Sequence, residues 1–230
     1  MKHNFYLKSK KKQNQIQFLI GLFAFMVIMI SICISWITEV YLFVILMISI
    51  TLSIIAPFFD MPSLRKSGKM IYFSPLFIAE KPQNSIIKIH GGTLFDYCFV
   101  IDKKMNGKQR TNFIIQQYLQ GLLYFIEKYE NENELKIRGT SYILNERTAK
   151  KMGFEIIETD MLQKIILFYS YFNILISNSI AKNKLSFPNI NETKTFQTDL
   201  EKLKERKYYI QKLNNSFISA SRKTHDLRGV

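Results

Sequence analysis

Asp96 interrupts an otherwise apolar run, "TLFDYCFVID". A carboxylate in such a setting is costly unless it meets a cation or takes a proton. Arg138, in "ELKIRGTSYIL", is the natural cation, and the two then form a structural pair. Facing a wet cleft instead, Asp96 becomes a general base for an amine. His90 ends "SIIKIH" just before Gly91-Gly92 and is either a second proton acceptor or a plain strand-end residue. Gly107, Lys108, Gln109, Arg110, Thr111 and Asn112 precede a long helical run. A helix start offers free amides and the positive end of a dipole, and so can hold phosphate. Arg110 would add charge-assisted bonds. The plainer alternative is a polar turn capped by Asn112. Thr140, Ser141 and Tyr142 follow Arg138 in the same run with three hydroxyls, and Asn145 opens a short helix. The two cysteines, Cys33 and Cys98, have no metal-type spacing, and neither HExxH nor CxxC occurs. No metal site is therefore expected.

These residues need a scaffold, and the pattern after Asp60 supplies one. "KMIYFSPLFIAEK" reads as a β run bounded by Gly68 and Pro82, and "SIIKIH" as a strand. "TLFDYCFVID" reads as a strand buried on both faces. Phe113, Tyr118, Leu122, Phe125, Ile126 and Tyr129 recur at helical spacing. "ELKIRGTSYIL" predicts a strand, "NERTAKKM" a short helix and "FEIIET" a strand. That alternation argues for an α/β or α+β sheet domain. Phe196, Leu200, Leu203, Ile210 and Leu213 line one face of a charged C-terminal helix, and the text after Asn214 reads as frayed.

The first quarter of the chain has a different solvent. From Gln13 to Thr38, and again from Val40 to Phe59, no charge occurs. Each run reaches the roughly 20 apolar residues that a spanning helix needs. The chain of 230 residues therefore divides into a basic tail (1–15), a transmembrane hairpin (16–59), an α/β domain (60–214) and a disordered tail (215–230). Lys2, Lys8, Lys10, Lys11 and Lys12 precede the first span, and Arg65, Lys66 and Lys69 follow the second. The connection at Trp36–Glu39 has no Lys or Arg. The positive-inside rule puts both termini in the cytoplasm of a bacterial-type inner membrane. The net charge of +14 then suits topology control and anionic lipid headgroups. No nucleic-acid-binding motif accompanies it, so nucleic acid is set aside. A third uncharged run, Ile165 to Ala181, is short for a span and reads as a core or membrane-surface helix, with a third span as the alternative.

From Phe95 to Asp160 the chain resembles the core of the GNAT-fold N-acetyltransferases. In that family a central strand leads to a loop that holds the pyrophosphate of acetyl-CoA. A long helix follows, then a strand splayed from the first, a short helix opened by Asn, and Gly-Phe before the next strand. "FDYCFVID", "NGKQRTN", Phe113 to Tyr129, "LKIRGTSYIL" and "NERTAKKMGFEI" are the corresponding stretches. The resemblance implies acyl transfer from acetyl-CoA or acyl-CoA to an amine. Asp96 or His90 would take the proton, and residues 107–112 with Asn145 would sit at the cofactor. Arg138, Thr140 and Tyr142 would be structural or substrate-lining. The loop departs from the family's Q/R-x-x-G-x-G/A pattern, having only Gly107, and the Tyr that can protonate the leaving thiolate has no counterpart; Met152 lies nearby. The second reading is therefore a non-catalytic membrane accessory protein whose worn site docks a partner protein. "HGGT" resembles the oxyanion loop of some esterases, but no G-x-S-x-G occurs.

Overall fold

The computed structural model describes residues 3–132, 134–141 and 144–226, with side chains as far as 219. Two long apolar helices open the chain: α1 (Lys10–Thr38) and α2 (Tyr41–Lys66). Both are long and apolar enough to cross a membrane. They pack on each other through a turn in which Glu39 adopts the left-handed conformation.

Helix α2 continues past Phe59, where the apolar run ends, because it survives two internal prolines, Pro57 and Pro62. A proline lacks the N–H that would bond the carbonyl four residues back. The orphans are the carbonyls of Ser53 and Phe58. Both find side-chain amides instead. Asn173 Nδ2 donates to Ser53 O at 2.6 Å, and Gln17 Nε2 donates to Phe58 O at 2.9 Å.

Six strands follow: β1 (Met70–Ser74), β2 (Phe77–Glu80), β3 (Ile86–Gly91), β4 (Lys136–Ser141), β5 (Glu155–Ile157) and β6 (Lys194–Asp199). The sheet order is β1-β2-β3-β4-β6-β5, with β3 and β4 parallel and every other pair antiparallel. The β3–β4 pairing runs from Ile86↔Lys136 to Ile89↔Gly139 and stops. Both strands continue beyond it, to Gly91 and Ser141, so they part at their carboxyl ends.

The helices are α3 (Leu94–Val100), α4 (Gly107–Lys128), α5 (Glu146–Lys151), α6 (Met161–Tyr169), α7 (Tyr171–Lys182), α8 (Leu200–Glu205) and α9 (Lys207–Asp226). Alternation along the strands sorts the two faces of the sheet. Phe77, Ala79, Ile87, Ile137 and Phe196 pack against Leu122, Phe125 and Ile126 of α4 and against Leu203 and Ile210. At Gly121 the helix lies so close to Phe77 that a Cβ would collide with its ring. The opposite face is covered at its β1–β2 side, where Ile78 meets Phe5, Met61 and Phe95.

Four expectations need correction. Phe196, read on the face of one C-terminal helix, lies in strand β6, and that helix is two, α8 and α9. "TLFDYCFVID" is helix α3 and not a strand, because Thr93 and Asp96 form a reciprocal capping box that starts a helix. The central strand of the βαβ unit is β3 in its place. Residues 107–112 are the first turns of α4 and not a loop: Asn106 is the N-cap, and its box partner is Gln109. Asn112 therefore lies inside the helix. The chain after Asn214 stays helical to Asp226 as part of α9.

The third apolar run is two helices, α6 and α7, bent by 66°. They leave the sheet from β5 and return to it in β6, and β5 and β6 are hydrogen-bonded neighbours. Both ends of the bent pair are thus on one side of any bilayer that α1 and α2 cross. That topology rules out a third span. Phe5 is packed on the same domain, so the amino-terminal tail shares that side as well.

Candidate functional site

The N-terminal segment, read as a basic tail, brings His3, Phe5 and Tyr6 back against β1 and α3. His3 stacks on Phe95 with ring centroids 5.1 Å apart. Phe5 is 1 % exposed beside Phe95, Met61 and Ile78. The three aromatic or imidazole rings among the lysines of the tail were the signal for this docking.

Asp96 is at the centre of what results. It is fully buried. Its Oδ2 accepts from the Thr93 backbone N–H at 2.7 Å and from Thr93 Oγ1 at 2.8 Å. Its Oδ1 accepts from the Tyr72 hydroxyl at 2.8 Å and lies 3.1 Å from His3 Nε2. Burial and the adjacent Asp96 charge push the Tyr72 phenol well above the ordinary tyrosine range. Burial raises Tyr6 likewise, with the Arg65 guanidinium stacked 3.8 Å over its ring. The carboxylate was expected to be buried, and it is. Its partner is not Arg138, and with four contacts from its own chain it holds no lone pair toward a cleft.

Arg138 lies across the β4–β6 pair and donates to Gln197 Oε1 from Nε at 3.1 Å and Nη2 at 2.8 Å. His90 lies 2.8 Å from Glu80 Oε1 in an exposed cross-strand contact, which holds the Glu80 carboxyl below the usual range. Thr140 shares a hydrogen bond with Thr195, which Thr159 also meets. Asn145 caps α5 by accepting from the Arg147 N–H at 2.8 Å. Tyr142 lies outside the described residues. Asp96, His90 and Arg138 thus belong to three separate contacts.

The start of α4 is the other place where chemistry was expected, and it too is full. Arg110 is buried, and its guanidinium donates to three backbone carbonyls: Met105 at 2.9 Å, Lys103 at 2.9 Å and Ile180 at 2.8 Å. The carbonyl of Lys182 sits against Gly107, where any Cβ would collide with it. Asn106 Oδ1 accepts the Gln109 N–H at 3.0 Å, and Thr111 Oγ1 bonds the Gly107 carbonyl. Lys108 stays exposed and Asn112 half-buried. The negative, carbonyl end of α7 therefore abuts the positive end of α4, the position a phosphate would take.

Compared with known proteins, the chain matches no family model, no curated protein and no solved structure.

Surface depressions occur near the start of α5, lined by Asn145, Glu146, Arg147 and Lys150, and beside β5, lined by Phe154, Glu155 and Lys202. Neither includes Asp96, His90 or Arg110. Among the described residues no group of three His, Cys, Asp or Glu side chains could hold a metal ion.

Proposed function

We propose that the protein is a non-catalytic, membrane-anchored interaction protein built on a GNAT-like domain whose cofactor position is filled by its own chain. The order of elements supports the GNAT-like part. With the short helix α3 interposed after the first strand, a strand (β3), a long helix (α4), a parallel strand that parts from the first (β4), a helix opened by Asn145 and a Gly153-Phe154 before β5 follow in the family's sequence. The single observation that carries the non-catalytic part is the packing of the α7 carbonyl end onto Gly107 and Arg110. A pyrophosphate would have to displace that end and leave the Arg110 contacts bare.

The lysines of the tail and Arg65, Lys66 and Lys69 share a side with the domain, and the positive-inside rule favours the cytoplasm for it. Lys8, Lys10, Lys11 and Lys12 lie where α1 would enter anionic headgroups. A partner protein is the remaining ligand class for this reading.

Calorimetric titration of the purified full chain in detergent with acetyl-CoA is the test. No binding by the folded wild type is expected. Saturable binding by the folded wild type would replace this reading with acyl transfer.

A further inference from the structure

Helix α6 reads "MLQKIILFY", with Gln163 and Lys164 as its only polar residues. A helix that is apolar on nearly all sides belongs in a core or in lipid. Yet none of its nine residues is buried. Met161, Leu162, Ile165, Ile166, Phe168 and Tyr169 are all exposed, Phe168 to 76 %. So much contiguous apolar surface has an occupant.

The contacts at the bend identify it. Ser53 Oγ donates to the Tyr169 carbonyl at 3.0 Å, and Asn173 Nδ2 donates to the Ser53 carbonyl at 2.6 Å. That carbonyl is free because Pro57 has no N–H to give it. Membrane helices tolerate proline where a neighbour satisfies the freed group in this way. Ser53 lies well inside the uncharged run of α2, about 9 Å along the helix from Phe59 at 1.5 Å per residue. The bend is therefore at hydrocarbon depth, beside α2. No charge occurs between Lys164 and Lys182, and long Lys stems at such ends let the ammonium reach the headgroups. Since β5 and β6 pair, both ends of the element return to one face of the bilayer.

We propose that α6 and α7 form a re-entrant elbow seated in the bilayer leaflet next to the domain, with acyl chains covering α6. The apolar belt of the hairpin thus widens on one side only. This assignment is independent of whether the domain binds acyl-CoA.

Phe168→Trp in a Trp36→Phe background reports on it directly, since Trp36 is the sole tryptophan. Phe168 is exposed, so the substitution leaves packing intact. The reference is Tyr208→Trp on α9, also exposed, in the same background. Both full-length proteins are reconstituted in phosphatidylcholine–phosphatidylglycerol vesicles. Lipids brominated on the acyl chains are expected to quench the probe at 168 and leave the probe at 208 bright. Aqueous iodide should quench 168 several-fold less than 208. Iodide quenching at 168 equal to that at 208, with no effect of brominated lipid, would overturn the proposal and leave α6 as a protein-docking face. Strong quenching of both probes by brominated lipid would also overturn it, because the element would then not be distinguished from the rest of the domain.

Discussion

Asp96 and Arg110 are both charged, both buried and both placed by a capping box at the start of a helix, yet they are held in opposite ways. Asp96 is met mainly by side chains, from the tail (His3), from β1 (Tyr72) and from its own cap (Thr93). Arg110 is met by backbone carbonyls alone, two from the preceding turn and one from α7. The first arrangement depends on three replaceable residues. The second depends on where the backbone goes. The difference teaches that a buried charge can lock a fold through chemistry that mutation and pH can undo, or through geometry that they reach only at the charge itself.

Removing either charge breaks the comparison most severely. Asp96→Ala leaves the Tyr72 hydroxyl and the Thr93 N–H without an acceptor and should cost about 3 kcal/mol or more, since a hydrogen bond to a charged group contributes about 1.5–3 kcal/mol. Thermal or denaturant unfolding in detergent measures it. A cost no larger than the ~0.5 kcal/mol of an ordinary surface change would mean the tail is not docked. Arg110→Ala should cost about 2–3 kcal/mol by leaving carbonyls unpaired. Arg110→Lys should recover only part, because one ammonium cannot serve three carbonyls that a guanidinium fork spans. Full recovery by Lys would show that charge, and not the three-way geometry, holds α7 against α4.

Tyr72→Phe sharpens the contrast. It removes one hydrogen bond to a carboxylate, worth roughly 1.5 kcal/mol. It also changes the pH response. The folded phenol titrates above its unfolded value, so its contribution is complete below about pH 10 and is lost as pH rises beyond it, by about 1.4 kcal/mol per pH unit. Tyr118, raised by burial, adds to the same alkaline slope. Tyr72→Phe should flatten that slope in unfolding measured from pH 9 upward, whereas Arg110→Ala, which introduces no group titrating in that range, should leave it as in the wild type. The smallest effect belongs to the exposed Glu80–His90 contact. With the Glu80 carboxyl held below its unfolded value, the contact stabilises above the ordinary glutamate range and fades as pH falls through the folded value. His90→Ala should cost no more than about 0.5 kcal/mol at neutral pH, and an acid titration of both proteins should show their stabilities converging.

The pair of helices long and apolar enough to cross a membrane was legible because length and absence of charge decide it. So were β3, the long helix, β4, and the short helix opened by Asn145, whereas the single run read from Lys69 to Lys81 is the hairpin β1–β2. Helix α3 was misread because a continuous apolar run has no period to separate strand from buried helix. The Thr93-to-Asp96 spacing was the available signal, and it also explains why Asp96 is polar there. The Asn106-to-Gln109 spacing likewise marked the true start of α4. Pro57 lies inside the second apolar run, where a helix would ordinarily break or kink. Helix α2 passes through it because Asn173, distant in sequence, replaces the missing donor. Nothing local to Pro57 announces that. Where the tail docks was hidden for the same reason: its rings mark it as apolar and burial of a carboxylate is readable in its neighbours, but that the two meet is not.

The contact between His3 and Asp96 joins residues 93 positions apart, and it gives biosynthesis an order. At ordinary synthesis rates of about 5–20 residues per second, His3 emerges on the order of 10 s before the carboxylate it will meet. Both helices of the hairpin are made in that interval, while Phe5 and Tyr6 have no surface to cover them. The tail closes only once β1 and α3 exist. A chain that stops before α3 leaves His3, Phe5 and Tyr6 uncovered, and one that contains α3 covers them, so their burial records that α3 has been made.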